Sequence, residues 1–227
     1  MGRSYTQVPR TVLGRLESKM KSMKDFLRAV WRWVRWPLMV LVFLYAVLVG
    51  FRTVMLFDAD KTAEAVAAIH AQKITLADVE GKNLPSVPDK AENDATVAGI
   101  DKNNNGIRDD VELAIFKKYP NSAKIRAAEL QYAMATQLMM TKVTNTETWI
   151  AAAKEDSRAY SCISETYPRT DFKNFIKVTN GRSDEVESLV VNTKLRQSAE
   201  NAAYEFTTSY SLPDTELCNV NLATLPN

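Results

Sequence analysis

The stretch Asp101 to Glu112 reads DKNNNGIRDDVE, and its residue types and spacing together specify one chemistry. Oxygen-bearing side chains stand at Asp101, Asn103, Asn105, Asp109 and Glu112. Gly106 falls where an EF-hand-type calcium loop must turn sharply, and a residue without a Cβ takes such a turn at least steric cost. A hard dication such as Ca2+ takes about six to eight oxygens. This loop offers the side chains of Asp101, Asn103, Asn105 and Asp109, the backbone carbonyl of Ile107 and a bidentate carboxylate from Glu112.

The spacing fits, but the surroundings differ from those of an ordinary helix–loop–helix hand. Pro85, Pro88 and scattered polar residues precede Asp101, so no long entering helix is expected. No second loop of this type occurs, so the usual pairing of two hands is absent. Arg108 stands where an apolar residue would bridge to a partner loop. Two of the side-chain ligands are uncharged asparagines, which places the expected affinity in the weak extracellular class, on the order of 10⁻⁴ to 10⁻³ M. The same residues also permit a metal-free reading, in which Asn103, Asn105 and Gly106 form a turn and Asp109 or Asp110 caps the helix that follows.

The elements that must position this loop follow from hydropathy and charge. Residues Pro37 to Phe51 are apolar throughout and continue past Arg52 to Phe57. About 20 such residues at 1.5 Å rise span a hydrocarbon layer of roughly 30 Å, so the pattern predicts a transmembrane helix over 36–57. Arg52 is close enough to one end to snorkel, and Trp31, Trp33 and Trp36 gather at the other as interfacial anchors. Met1 to Phe57 carries ten Lys and Arg against Glu17 and Asp25, leaving 19 basic and 25 acidic residues of the chain's 29 and 27 for the remainder. The near-neutral total therefore hides a basic flank and an acidic domain. Positive charges before the span place the N-terminus in the cytoplasm and the following domain across the membrane. The long basic region, with no small-residue cleavage site after Phe57, favours an uncleaved signal anchor over a signal peptide.

Within the basic segment 1–35, Leu16, Met20, Met23, Leu27, Trp31 and Val34 recur at helical spacing, with Arg15, Lys19, Lys24 and Arg28 interleaved. Such a helix either lies on an anionic leaflet or extends the span into water. Since topology accounts for these charges, no nucleic-acid partner is expected. Residues 58–100 read as an Ala-rich stalk and a Pro-containing linker, with a short strand over Lys73 to Leu76. His70, the single histidine, has no second ligand at motif spacing and reads as a surface or packing residue.

From residue 101 to 227 the pattern is helical. It predicts Val111 to Tyr119; a helix from Asn121 or Ser122 to about Met140 with one apolar stripe of Ile125, Ala128, Tyr132, Ala135 and Met139; and Thr146 to about Ser164, started by a Thr144–Glu147 capping box. It further predicts a short helix over Asp171 to Val178 stopped at Asn180-Gly181, and a long one from Ser183 to about Phe206. The tail from Ser211, with Pro213 and Pro226, reads as irregular. The fold class is therefore all-α, a single transmembrane helix followed by a helical bundle carrying one calcium-type loop. Cys162 and Cys218, an even pair beyond the span without metal-ligand spacing, are expected to form a disulfide in an oxidising compartment.

The string Ala95 to Glu112 (ATVAGIDKNNNGIRDDVE), preceded by Asn83-Leu-Pro-Ser-Val-Pro-Asp89, resembles a group of uncharacterised proteobacterial envelope proteins that share a proline-containing lead-in, a single D-x-N-x-N-G-I-x-D-D loop and a helical remainder. Asn192-Thr-Lys-Leu-Arg196 is a second, weaker point of similarity. The resemblance covers roughly residues 80 to 205. It implies Asp101, Asn103, Asn105, Asp109 and Glu112 as ligands and a bacterial cell-envelope setting, while the long basic N-terminus and the membrane anchor are not part of it. It implies no reaction.

Three function classes follow. The first is a membrane-anchored, calcium-stabilised periplasmic module that binds another envelope protein and is not an enzyme. The second is a transmembrane relay using the basic cytoplasmic helix. The third is an envelope hydrolase, disfavoured because no G-x-S-x-G, H-E-x-x-H or Cys/His arrangement is present. Topology is directly testable: a reporter active only outside the cytoplasm should function when fused after Asn227. Neutralising Lys21, Lys24, Arg28, Arg32 and Arg35 together should abolish that orientation.

Overall fold

A computed structural model describes residues 10–212 and 216–226. Residues 1–9 of the basic segment, Pro213 of the tail and the side chains of Arg15, Leu16 and Val54 lie outside the described residues. The chain divides into two compact units, Met1–Ala59 and Asp60–Asn227. The first consists of α1 (Arg10–Ala71) up to Ala59, with Pro37 inside the helix. Its described large apolar side chains are exposed from Met20 to Phe57, and it holds the one stretch among the described residues that is long and apolar enough to cross a membrane. Thr53 Oγ1 donates to Gly50 O at 2.8 Å, so this hydroxyl is satisfied within the helix itself.

The second unit is a helical bundle. After the last part of α1 come α2 (Leu76–Glu80), α3 (Lys90–Asp94), α4 (Asp109–Lys118), α5 (Ala123–Lys142), α6 (Thr146–Ser164), α7 (Phe172–Val190) and α8 (Lys194–Tyr204). The all-α expectation holds at this level. At its centre is α5, which begins where Ser122 Oγ accepts from Ile125 N. Instead of one apolar stripe it is buried on all sides, with Ile125 only half-buried and Arg126, Glu129, Gln131 and Gln137 inside. A helix that is covered all round must be the one the others pack on. It contacts α2, α4, α6, α7 and α8.

Several local expectations are corrected. No strand forms over Lys73 to Leu76. Thr75 is instead the N-cap of α2, its hydroxyl accepting from Asp78 N while the Asp78 carboxylate accepts from Thr75 N, and one turn of helix then satisfies these backbone groups locally. The capping box of α6 sits one residue later than Thr144–Glu147: Asn145 and Thr148 exchange the bonds. Asn180-Gly181 does not stop a helix, because α7 runs through it to Val190. The break falls at 191–193, where Thr193 caps α8. The cost of a mid-helix glycine, about 1 kcal/mol, is outweighed by the buried residues Phe175, Thr179, Ser183, Val186 and Val190 that the unbroken helix brings to the core.

His70 Nδ1 lies 2.8 Å from Glu155 Oε1, and Lys73 Nζ and Arg158 also bond this buried carboxylate. Burial alone would raise the Glu155 pKa, but these three partners hold it below its usual value. The irregular tail is held as tightly as a helix. Gln131 Nε2 donates to Leu217 O and its Oε1 accepts from Asn219 N, both at 2.8 Å, while Arg158 Nε donates to Glu216 O. Between these bonds Cys218 meets Cys162 of α6 at disulfide distance, with a Cα separation of 5.1 Å. Closing a loop of 56 residues stabilises a fold by about 4 kcal/mol through lost chain entropy in the unfolded state. Reduction should therefore lower the melting temperature of the domain. Protein isolated without reductant should show no alkylatable thiol by mass spectrometry.

Candidate functional site

The calcium-type loop is built by backbone accounting. Asp101 Oδ1 and Oδ2 accept from Asn105 N (3.2 Å) and Gly106 N (2.9 Å), and Asn105 Oδ1 accepts from Ile107 N (2.9 Å). Asp109 Oδ1 accepts from Lys102 N at 3.0 Å, and Asp109 N donates to Ile100 O at 2.8 Å, closing the loop across its base. Gly106 has φ +84°, and a Cβ there would meet Gln72 Nε2 at 2.6 Å. That amide donates to Asn105 O, so the residue that follows α1 rests against the loop. Asn104 also has positive φ, at +55°, which asparagine tolerates better than most residues.

What the loop leaves over is as informative as what it pairs. Asn103 Oδ1, Asp109 Oδ2 and Glu112 Oε1 are buried and meet no hydrogen-bond donor. Asp109 and Glu112 are almost wholly inaccessible. Glu112 Oε2 accepts from Asn103 Nδ2 at 3.0 Å. Burial pushes the Glu112 carboxyl up to about 7, the side-chain amides of Asn103 and Asn105 oppose this, and Asp78 and Asp109 raise it further. Burial likewise raises Asp101 against the pull of its backbone N–H bonds. Buried acceptors without donors cost roughly 1–3 kcal/mol each, and a cation is the group that satisfies several at once. The carboxylates do not by themselves form a cage: among the described residues no three His, Cys, Asp or Glu side chains gather closely enough to hold a metal ion. Beside the two carboxylates, Asn103 Oδ1 is the third oxygen here that is buried without a donor.

The departures read from the sequence take on a definite role. Arg108 is fully buried and makes an ion pair with Asp110, while its Nη1 and Nη2 donate to Val190 O and Leu189 O, at 2.9 and 2.8 Å. It thereby satisfies carbonyls left open at the C-terminus of α7. The short α3 replaces the long entering helix, and behind it Arg196 of the Asn192–Arg196 motif, also fully buried, binds Asp94 Oδ1, Asn192 Oδ1, Asn93 O, Thr96 O and Val97 O. Asn93 Oδ1 in turn accepts from Ile100 N. Gly99, at φ +66°, admits the Arg108 side chain where a Cβ would lie 2.2 Å from its Cδ.

Sequence reasoning named the oxygen-bearing side chains of the loop but not Gln72, Asp78, Asn93 and the structural use of Arg108. Their signals are spread over positions distant along the chain. A cleft of about 350 Å³, lined among others by Gln72, Asp101, Asn104, Gln137 and Lys142, opens beside the loop.

No protein-family model, curated protein or solved structure matches the chain. What can be said of the site therefore rests on its own geometry. Arg196→Met should destabilise the domain by about 3–5 kcal/mol, since it leaves the carbonyls of Asn93, Thr96 and Val97 and one Asp94 oxygen without their donor. Chemical denaturation measures this directly, with the exposed pair Lys90–Asp94 as a control: Lys90→Met should cost under about 1 kcal/mol.

Proposed function

We propose that this chain is a single-pass protein of a bacterial inner membrane, with its N-terminus in the cytoplasm and its helical domain in the periplasm. One weakly bound calcium ion orders the domain, which acts by holding another envelope protein and not by catalysis. The observation that carries this reading is the set of buried, donor-less oxygens in one loop, Asn103 Oδ1, Asp109 Oδ2 and Glu112 Oε1. Calcium supplies the missing positive charge without requiring strict octahedral geometry. In this assignment Asp101, Asn103, Asn105, Asp109, Glu112 and the carbonyl of Ile107 hold the ion. The apolar helix, the basic flank before it and the Cys162–Cys218 pair support a membrane-anchored domain in an oxidising compartment. The lone histidine has its Nδ1 on Glu155.

A second reading, a transmembrane relay, is favoured by one feature. The helix α1 is continuous from Arg10 to Ala71, and Gln72 directly after it donates to the calcium-type loop. Crosslinking of the full-length protein in membranes separates the two: an envelope partner supports the first, a cytosolic partner the relay.

The calcium assignment is tested by melting residues 58–227 with and without metal. At ten times Kd, a ligand of the folded state contributes about 1.4 kcal/mol, or roughly 3–6 °C for a domain of this size. Millimolar calcium should give this increment and equal magnesium much less. Glu112→Gln should remove it while keeping the fold. This is a cleaner variant than Asp101→Ala, because Asp101 also holds the backbone N–H groups of Asn105 and Gly106. Identical melting of the wild-type domain with and without several millimolar calcium overturns the assignment.

A further inference from the structure

The segment Lys19–Trp36 of α1 is helical, yet Met20, Met23, Phe26, Leu27, Val30, Trp31, Trp33 and Val34 are all exposed. At 3.6 residues per turn these eight side chains fall within an arc of about 160°. Lys24, Arg35, Arg28, Lys21 and Arg32 fall in a second, separate arc of about 80°, and Asp25 is the one acidic residue in the segment. A wide apolar face carrying Trp and Phe beside a compact basic face is the pattern of a helix lying in a lipid interface.

We infer that residues 19–36 form a docking face for an anionic lipid surface, with the apolar arc at the acyl boundary and the basic arc among phosphate headgroups. Two observations select lipid over a second copy of this chain. Pairing two copies in parallel would bring together Lys19, which lies inside the apolar arc, and Lys24 at its border, with no acid on this segment but Asp25 to neutralise them. The apolar arc also exceeds the narrow seam that a two-helix pair buries. Lipid phosphates complement the charge, and the membrane-spanning stretch that begins directly after Trp36 keeps the segment at such a surface. Pro37 stands at the junction. It donates no N–H to Trp33 O, so a bend from across the bilayer to along it is least costly there.

The test uses the full-length protein carrying a nitroxide at Met23→Cys, reconstituted in phosphatidylcholine alone or mixed with phosphatidylglycerol. A second label at Asp25→Cys reports the opposite side. In the anionic bilayer the label at 23 should collide with oxygen and be shielded from a water-soluble nickel chelate, and the label at 25 should remain open to nickel. Replacing Lys21, Lys24, Arg28 and Arg32 by Gln should return the label at 23 toward water. Three outcomes overturn the inference: nickel access at 23 in the anionic bilayer, equal shielding in phosphatidylcholine alone, or spin–spin broadening showing that a second copy covers the face.

Discussion

Two guanidinium groups buried without access to water set the terms for the rest of this domain. A charge in that position is tolerated only if every donor finds an acceptor. Arg108 finds its acceptors on Asp110 and on the last carbonyls of α7, Leu189 O and Val190 O, and Arg196 finds its own on Asp94, Asn192 and the carbonyls of Asn93, Thr96 and Val97. The irregular run from Asn93 to Arg108 is thereby tied to the corner between α7 and α8. A loop can present oxygens inward only when its backbone has somewhere else to place its own hydrogen bonds, and these two arginines together with Asn93 and Gln72 provide that place. The long entering helix of an ordinary calcium hand is not needed here, because ion pairs and carbonyl bonds replace its packing.

The same logic runs through the core. With α5 enclosed on all sides, its polar residues must be satisfied by neighbours. Arg126 donates to Val79 O, Tyr119 O and Pro120 O; Glu129 pairs with Arg182; Gln131 binds the tail at Leu217 and Asn219. The bonds of Arg126 and Gln131 satisfy backbone groups at the end of α2, after α4 and in the tail. The consequence is a helical domain in which loops and tail are held by core side chains, and in which Cys162 and Cys218 are brought together by contacts that exist without the covalent bond.

The first unit obeys a different solvent. Its apolar side chains are exposed from Met20 to Phe57, which in water would be a severe cost and in a bilayer is the favourable arrangement. Basic residues are concentrated before this apolar stretch and acidic residues are in excess after it.

How much of this was legible in the sequence depends on the range of the interaction concerned. Asp101 to Glu112 could be read as an oxygen-rich loop with a glycine turn, and Pro37 to Phe57 as a membrane-length helix, because loop chemistry and hydropathy are written in consecutive residues. Helix starts at Ser122 and Asn145 were likewise close, since a cap bonds three residues ahead. Gly181 misled because its local helix penalty is small beside the buried contacts of an unbroken α7. Arg108 looked like a defect in the loop until α7 supplied Leu189 O and Val190 O. Arg196 gave no hint that it holds residues some hundred positions earlier. By itself the sequence determined a helix long and apolar enough to cross a membrane, the helical class and the run of oxygen-bearing residues in the loop. Only the tertiary structure decided which oxygens remain without donors and which arginines hold the loop in place, because both depend on partners that are distant along the chain and meet only in the packed core.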